Sequence, residues 1–261
     1  MNCKGSSRCT SNFLTASLER SVAHVLQQIL IRFLVAAIVL GAADRLLAQE
    51  APTVVTRAEA MKMAERYLRH VWKPTEHNIF HGLDAEGVQV DTPDAGFKPA
   101  HTRHGWWVVG RKNVGLPYMW GGFDTPESFE AGLRARMAAG DIYSAEKRRL
   151  LDAGVSKQAV GIDCSGLISR CWKLPRSFST RELAGLCNPI DDMKHLKPGD
   201  VFNRHNDHVL MFGGWIDKEH TRICAYEAGS PPTWKVLLNA MPLKFLTDQG
   251  YTAWRYRGMR D

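Results

Sequence analysis

Residues 161–172 read GIDCSGLISRCW, and the reading of this stretch decides the fold. A glycine and an acid open it, a cysteine follows, and an apolar run at helical spacing completes it. Asp163 fits the N-cap of a helix, where a side-chain oxygen accepts from a free N–H of the first turn. Cys164 then opens that helix. There the helix dipole and the unpaired N–H groups favour negative charge. A thiol of ordinary pKa, near ~8.5, is thereby drawn towards the thiolate that does nucleophilic chemistry. The same N–H groups can supply part of an oxyanion hole. Gly166 leaves room for close approach of substrate or of a packing element, and Asp163 and Ser165 flank the sulfur and can orient either. Taken alone, a cysteine opening a helix also reads as a core thiol.

A nucleophilic thiol needs a base, and the chain has ten histidines. His208 is the best placed, because it opens the strand-like run HVLMF after the polar turn Arg204 to Asp207. His205 and His195 are weaker candidates, since both fall in polar turns. A third group must fix the imidazole tautomer. Glu227 ends the run ICAYE, which an antiparallel pairing can bring beside His208; Asn239 and Asp207 are the alternatives.

Working outward, Thr56-Arg-Ala-Glu59 is a capping-box pattern leading an amphipathic helix that ends near Trp72-Lys73-Pro74. Residues 74–104 read as loop, GWWVVG (105–110) as a short strand or a buried apolar run, and GLPYMWGG (115–122) as aromatic turn. Thr125-Pro126 starts a helix predicted to reach about Ala139, and Ser144 caps another that ends at Gly154. Ser179-Thr-Arg-Glu182 offers a second capping box. KPGDVFN (197–203) is a turn into a strand. HVLMFGGW (208–215), TRICAYEAG (221–229), TWKVLLNA (233–240) and TAWRYRG (252–258) then read as antiparallel strands. Helices first and strands after predict an α+β domain over residues 51–261 rather than alternating βαβ units.

The N-terminal residues 1–49 read differently. Arg20 and Arg32 precede the uncharged run Phe33 to Ala43, which is shorter than the ~20 apolar residues of a bilayer span and suits a signal-peptide core. Gly41-Ala42-Ala43 and Leu46-Leu47-Ala48 are the two candidate cleavage sites. Export to the periplasm, cell envelope or medium follows, with no integral span after cleavage; an uncleaved anchor is the alternative. The formal charge of +7 drops to +4 without that segment, and no lysine-arginine stripe of a nucleic-acid binder is present. Cys3 and Cys9 leave with the signal. If Cys164 stays free, Cys171, Cys187 and Cys224 can form one disulfide at most.

The segment DCSGLISRCW resembles the nucleophile segment of the NlpC-type cell-wall cysteine peptidases, a papain-like family. PYMWGG (117–122) resembles that family's aromatic-glycine motif, and LKPGDVFNRHNDHVLMFGGW (196–215) its turn, strand and histidine segment. The resemblance covers about residues 105–240. It implies a papain-like fold with Cys164 as nucleophile, His208 as base and a third polar group falling at Glu227. It places Tyr118 close to the sulfur, able to contact substrate or steady an oxyanion, and implies a peptidoglycan stem peptide as substrate, cut beside a D-amino acid. No metal or organic cofactor is called for. The chain departs from the pattern in a helical insert at about residues 123–160, which can cover or reshape the groove, and in an acid at position 227, where the family carries histidine or a neutral amide.

Other readings compete. His205-x-x-His208 with Asp207 and a distant cysteine can be written as a zinc set, but the spacing lacks a recognised ligand pattern. Trp106, Trp107, Trp120 and Trp172 default to buried packing, with Trp120 the one best placed to line a cleft. Cys171 lies two turns below Cys164 and reads as core. Two other functions stay open: an inactive papain-like domain that binds cell-wall peptide, and a thiol amidase or acyltransferase with a non-wall substrate.

Overall fold

The apolar runs of the C-terminal half assemble into one six-stranded sheet. The computed structural model describes residues 53–98, 104–229 and 233–261; the signal-like run and its candidate cleavage sites lie outside them. The strands are β1 (Cys187–Pro189), β2 (Val201–Arg204), β3 (His208–Trp215), β4 (Arg222–Ala228), β5 (Val236–Pro242) and β6 (Thr252–Tyr256). They lie in the order β5-β4-β3-β2-β6-β1, every neighbour antiparallel. The α-helices among the described residues are α1 (Arg57–Leu68), α2 (Pro126–Arg134), α3 (Ala145–Leu150), α4 (Cys164–Cys171) and α5 (Leu243–Asp248). Mixed helix and antiparallel sheet, in that chain order, is the α+β architecture expected.

Why the sheet is covered on both faces follows from the two-residue period of a strand. In β3 the run Val-Leu-Met-Phe is buried throughout. Val209 and Met211 join one cluster with Ala60, Ala64 and Tyr67 of α1 and Leu167, Ile168 and Cys171 of α4. Leu210 and Phe212 join another with Ile223, Ala225 and Leu246 of α5. Leu167 and Ile168 are fully buried, worth about 1.5–3 kcal/mol each, so α4 is held to the sheet by its lower turns and leaves its first residue at the edge. Asp200, in the turn before β2, is wholly buried and takes the guanidinium groups of Arg57 at 3.0 Å and Arg255 at 2.7 Å. That pins the start of β2 to α1.

Some expectations are corrected. GWWVVG makes only a single bridge, Asp94 to Trp107. The Asn113 side chain takes both the N–H and the carbonyl of Val108, which removes the groups a strand would pair. The helix predicted to reach Ala139 stops at Arg134. Asn78 takes the carbonyls of Leu133 and Met137, and Ala138–Ala139 pair instead with Ala159–Val160. In the Ser179–Glu182 box the Glu182 carboxylate accepts the Ser179 N–H and hydroxyl, but the Glu182 N–H goes to the Ser179 carbonyl rather than its side chain. The pattern leads only a 3-10 turn, Leu183–Leu186, before β1 begins at Cys187. Residues 74–104 are not all loop, for His81–Leu83 pairs with Gln89–Asp91. Cys171, Cys187 and Cys224 are all free thiols; none of the three forms the one disulfide the count allowed.

Candidate active site

Local chemistry places the sulfur first. Asp163 has extended backbone and caps α4, its carboxylate accepting the Gly166 N–H at 2.5 Å and the Ser165 hydroxyl at 3.0 Å. Cys164 is the first helical residue, so its own N–H has no partner inside the helix. A Cβ at Gly166 would stand 2.1 Å from the Gly122 carbonyl oxygen. The room at Gly166 therefore serves packing of α4 on the WGG loop, not substrate. That loop is tied to the segment before α4 by Met119 N–H to the Ile162 carbonyl at 3.2 Å, Ile162 N–H to the Pro117 carbonyl at 3.2 Å and Asp163 N–H to the Gly122 carbonyl at 3.1 Å. The aromatic-glycine segment and the cysteine thus form one rigid unit, far apart as they are in sequence.

The sheet supplies the partner. His208 opens β3 opposite Arg204 of β2, and its Nε2 bonds the Glu227 carboxylate of β4 at 2.7 Å. Glu227 in turn accepts from the Asn239 amide of β5 at 3.2 Å. Three adjacent strands therefore carry imidazole, carboxylate and amide in a row. Cys164 and His208 border the same cleft, and with Nε2 committed to Glu227 Nδ1 is the ring nitrogen left for the sulfur. Burial works against a charged imidazole here, but the negative sulfur of Cys164 and the Glu227 carboxylate outweigh it and raise His208 to about 10. Burial likewise pushes Glu227 upward, and the His208 and Asn239 bonds reverse this and hold the carboxyl below its usual value. Tyr251 packs edge-on to the imidazole, with ring centroids 6.5 Å apart.

Tyr118 is buried beside this pair. Burial, and then the negative charges of Cys164 and Asp163, drive its pKa far upward, so the phenol stays an O–H donor. Burial also raises Asp163, to about 6, against the bonds from Gly166 and Ser165. Cys164, His208 and Tyr118 all border one cleft of about 380 Å³. Its further walls are Trp120, the insert residues Tyr143, Arg148, Leu151, Asp152 and Val155, and the loops at Ser179–Arg181 and Asn206–Asp207. The Trp120 indole donates to the Leu151 carbonyl at 3.2 Å and packs on Tyr143 at 5.7 Å, so the insert is part of the cleft.

The predicted residues Cys164, Asp163, Ser165, Tyr118, Trp120 and His208 meet at this cleft, with Glu227 one bond behind. The alternatives do not. His195 and His205 are exposed, and Asp207 pairs with Arg204 and Arg148 instead of the imidazole. Trp107 and Trp172 are buried, as their default predicts, and Cys171 is 1 % exposed. Among the described residues no group of three or more His, Cys, Asp or Glu side chains is arranged to hold a metal ion. Asn239 stands behind Glu227 rather than in its place, which the sequence did not separate. The cleft residues of the insert and of the Ser179–Arg181 loop were missed, because nothing in their local pattern points to chemistry.

An acyl-transfer site can be assembled from these parts: a thiol at a helix N-terminus, a charged imidazole oriented by a carboxylate, an unpaired backbone N–H and a phenolic donor. Comparison of the chain with protein-family models, curated proteins and solved structures finds no match. Among the described residues no helix is long and apolar enough to cross a membrane.

Proposed function

We propose that this protein is a cysteine-dependent hydrolase of amide bonds, built on a papain-like domain, exported, and directed at peptidoglycan stem peptides. The observation that carries the reading is that the Cys164 thiol at the mouth of α4 and His208 border one cleft, with Glu227 holding the imidazole at 2.7 Å. A structural histidine has no need to be oriented by a carboxylate while sharing a cleft with a thiol at a helix N-terminus. Substrate class and export rest on the resemblance of the three sequence motifs and on the apolar N-terminal run.

The reaction runs in two halves. The thiolate of Cys164 adds to the carbonyl carbon, and the new oxyanion is met by the Cys164 N–H and the Tyr118 hydroxyl. The tetrahedral species collapses with cleavage of the C–N bond, and the His208 imidazolium gives its proton to the leaving nitrogen. A thioester remains. Neutral His208 then takes a proton from water, the hydroxide adds to the thioester carbonyl, and collapse breaks the C–S bond. The products are a carboxylic acid and the restored thiolate–imidazolium pair. Glu227 keeps the ring oriented and stabilises its charge throughout, and Asn239 keeps Glu227 in place.

The test is incubation of the protein with purified peptidoglycan and mass analysis of soluble products, with Cys164→Ser as control. Release of stem-peptide fragments by the native protein alone is the expected result. Absence of release, with Cys164 alkylated by iodoacetamide no faster than the half-buried Cys224, would overturn the hydrolase itself and favour a binding domain. Rapid alkylation without release would overturn the wall substrate only.

A further inference from the structure

The insert is not a loose cover. Lys147 of α3 has its ammonium buried, donating to the Asp141 carboxylate at 2.5 Å, the Gln89 carbonyl at 2.5 Å and the Gly154 carbonyl at 3.3 Å. The next residue, Arg148, points the other way, into the catalytic cleft. Its guanidinium has one charged partner among the described residues, Asp207 at 3.8 Å, beyond direct hydrogen-bond distance. Asp207 is already held more closely by Arg204. Arg148 is thus a fixed, 28 % exposed cation with a planar fork of donors and no good acceptor, beside the nucleophile's cleft.

We infer that Arg148 is a specificity-determining residue that binds a carboxylate of the substrate, exchanging its long contact with Asp207 for a paired, charge-assisted one. The inference rests on the hydrolase reading of the same cleft. Arg181, the other arginine on the cleft wall, is itself exposed, although its neighbour Thr180 is buried. Asp152 on the same wall opposes an anion, so charge of the cleft as a whole does not draw a carboxylate in; a particular donor must. The carboxylate can be a chain terminus or an acidic side chain.

A set of chloroacetyl probes measures this without knowing the substrate. Chloroacetyl derivatives of glycine, β-alanine and γ-aminobutyrate, as free acids and as primary amides, place a charge at growing distance from the sulfur. The Cys164 thiolate displaces chloride to leave a thioether, and the second-order rate is read by mass spectrometry of the intact protein. We expect one chain length at which the acid outpaces its amide by about fivefold, with the ratio falling to one or below in Arg148→Gln and persisting in Arg181→Gln. A ratio of one or below at every length in the native protein, a ratio unchanged by Arg148→Gln, or one abolished by Arg181→Gln would each overturn the inference. The neutral amides monitor the site itself: if they label Cys164 no faster than Cys224, the hydrolase reading has failed. At the responsive length, chloroacetyl-peptides ending in a free carboxylate are compared with amidated peptides carrying an internal glutamate. Preference for the first identifies a chain end, preference for the second a side chain.

Discussion

Two charge pairs, one buried in the insert and one part-buried at the ends of two strands, do different work. Lys147–Asp141 lies inside the insert, with side chains 3 % and 0 % exposed. All three ammonium donors are used on Asp141, Gln89 and Gly154. His208–Glu227 lies at the ends of two interior strands, with side chains 16 % and 14 % exposed, and commits only one ring nitrogen to its partner. The first pair has no capacity left for a ligand and acts as a rivet. The second leaves a ring nitrogen uncommitted, on a residue that borders the same cleft as a thiol. Burial of charge by itself says little about function; spare hydrogen-bonding capacity directed at a nucleophile says much.

The sharpest way to break the comparison is to exchange the outcomes. His208→Ala and Cys164→Ser should each lower turnover by at least about a thousandfold while the melting temperature stays near that of the native protein. A variant at position 208 with full activity would remove the base assignment. On the rivet side, Lys147→Ala leaves Asp141 buried and unpaired, and should cost about 3–5 kcal/mol in urea unfolding. Lys147→Met with Asp141→Leu should recover part of that loss, because the buried charge is gone while the Asp91 N–H and the Gly154 carbonyl still lose their partners.

Smaller effects sharpen the catalytic half. Glu227→Gln should lower turnover by roughly ten- to a hundredfold, less than loss of His208, because the amide still orients the ring but no longer stabilises its charge. The pH dependence separates these roles. The imidazolium is present below about 10 and is lost as pH rises through that value, so hydrolysis should fall on the alkaline side there while thiol alkylation continues. Glu227→Gln removes one cause of the raised value and should move that fall to lower pH. A limb that stays in place would show that the carboxylate does not hold the imidazolium. At the far end of α4, Cys171→Ala should cost about 1–2 kcal/mol and leave the rate unchanged, since burial alone pushes that thiol up and no base faces it.

How much of this was legible beforehand depends on the range of the interaction. Helix α4 and its Asp163 cap lie within four residues, and strands β2 to β6 each carry their own apolar run. Those elements are written locally. GWWVVG is not a strand because its backbone groups go to irregular partners, Trp106 N–H to the distant Pro93 carbonyl and Val108 to the nearby Asn113 side chain. The helix at Pro126 ended early because the chain beyond it is claimed elsewhere, Asn78 taking the Leu133 and Met137 carbonyls and Ala138–Ala139 pairing with Ala159–Val160. Strand β1, only Cys187–Pro189, has too few residues to show a period, and it exists because β6 offers an edge.

The sequence by itself determined the chemical types: a thiol at the mouth of a helix, an imidazole opening a strand, an acid ending the next, and an α+β order of elements. Capping, periodicity and turn residues act over a few positions, and they can be read there. Tertiary structure alone decided which of several histidines meets the sulfur, that Glu227 and Asn239 act in series, and that the insert turns Arg148 towards the cleft while burying Lys147. Those outcomes depend on strand register and on the packing of segments tens of residues apart, and no local pattern carries that information.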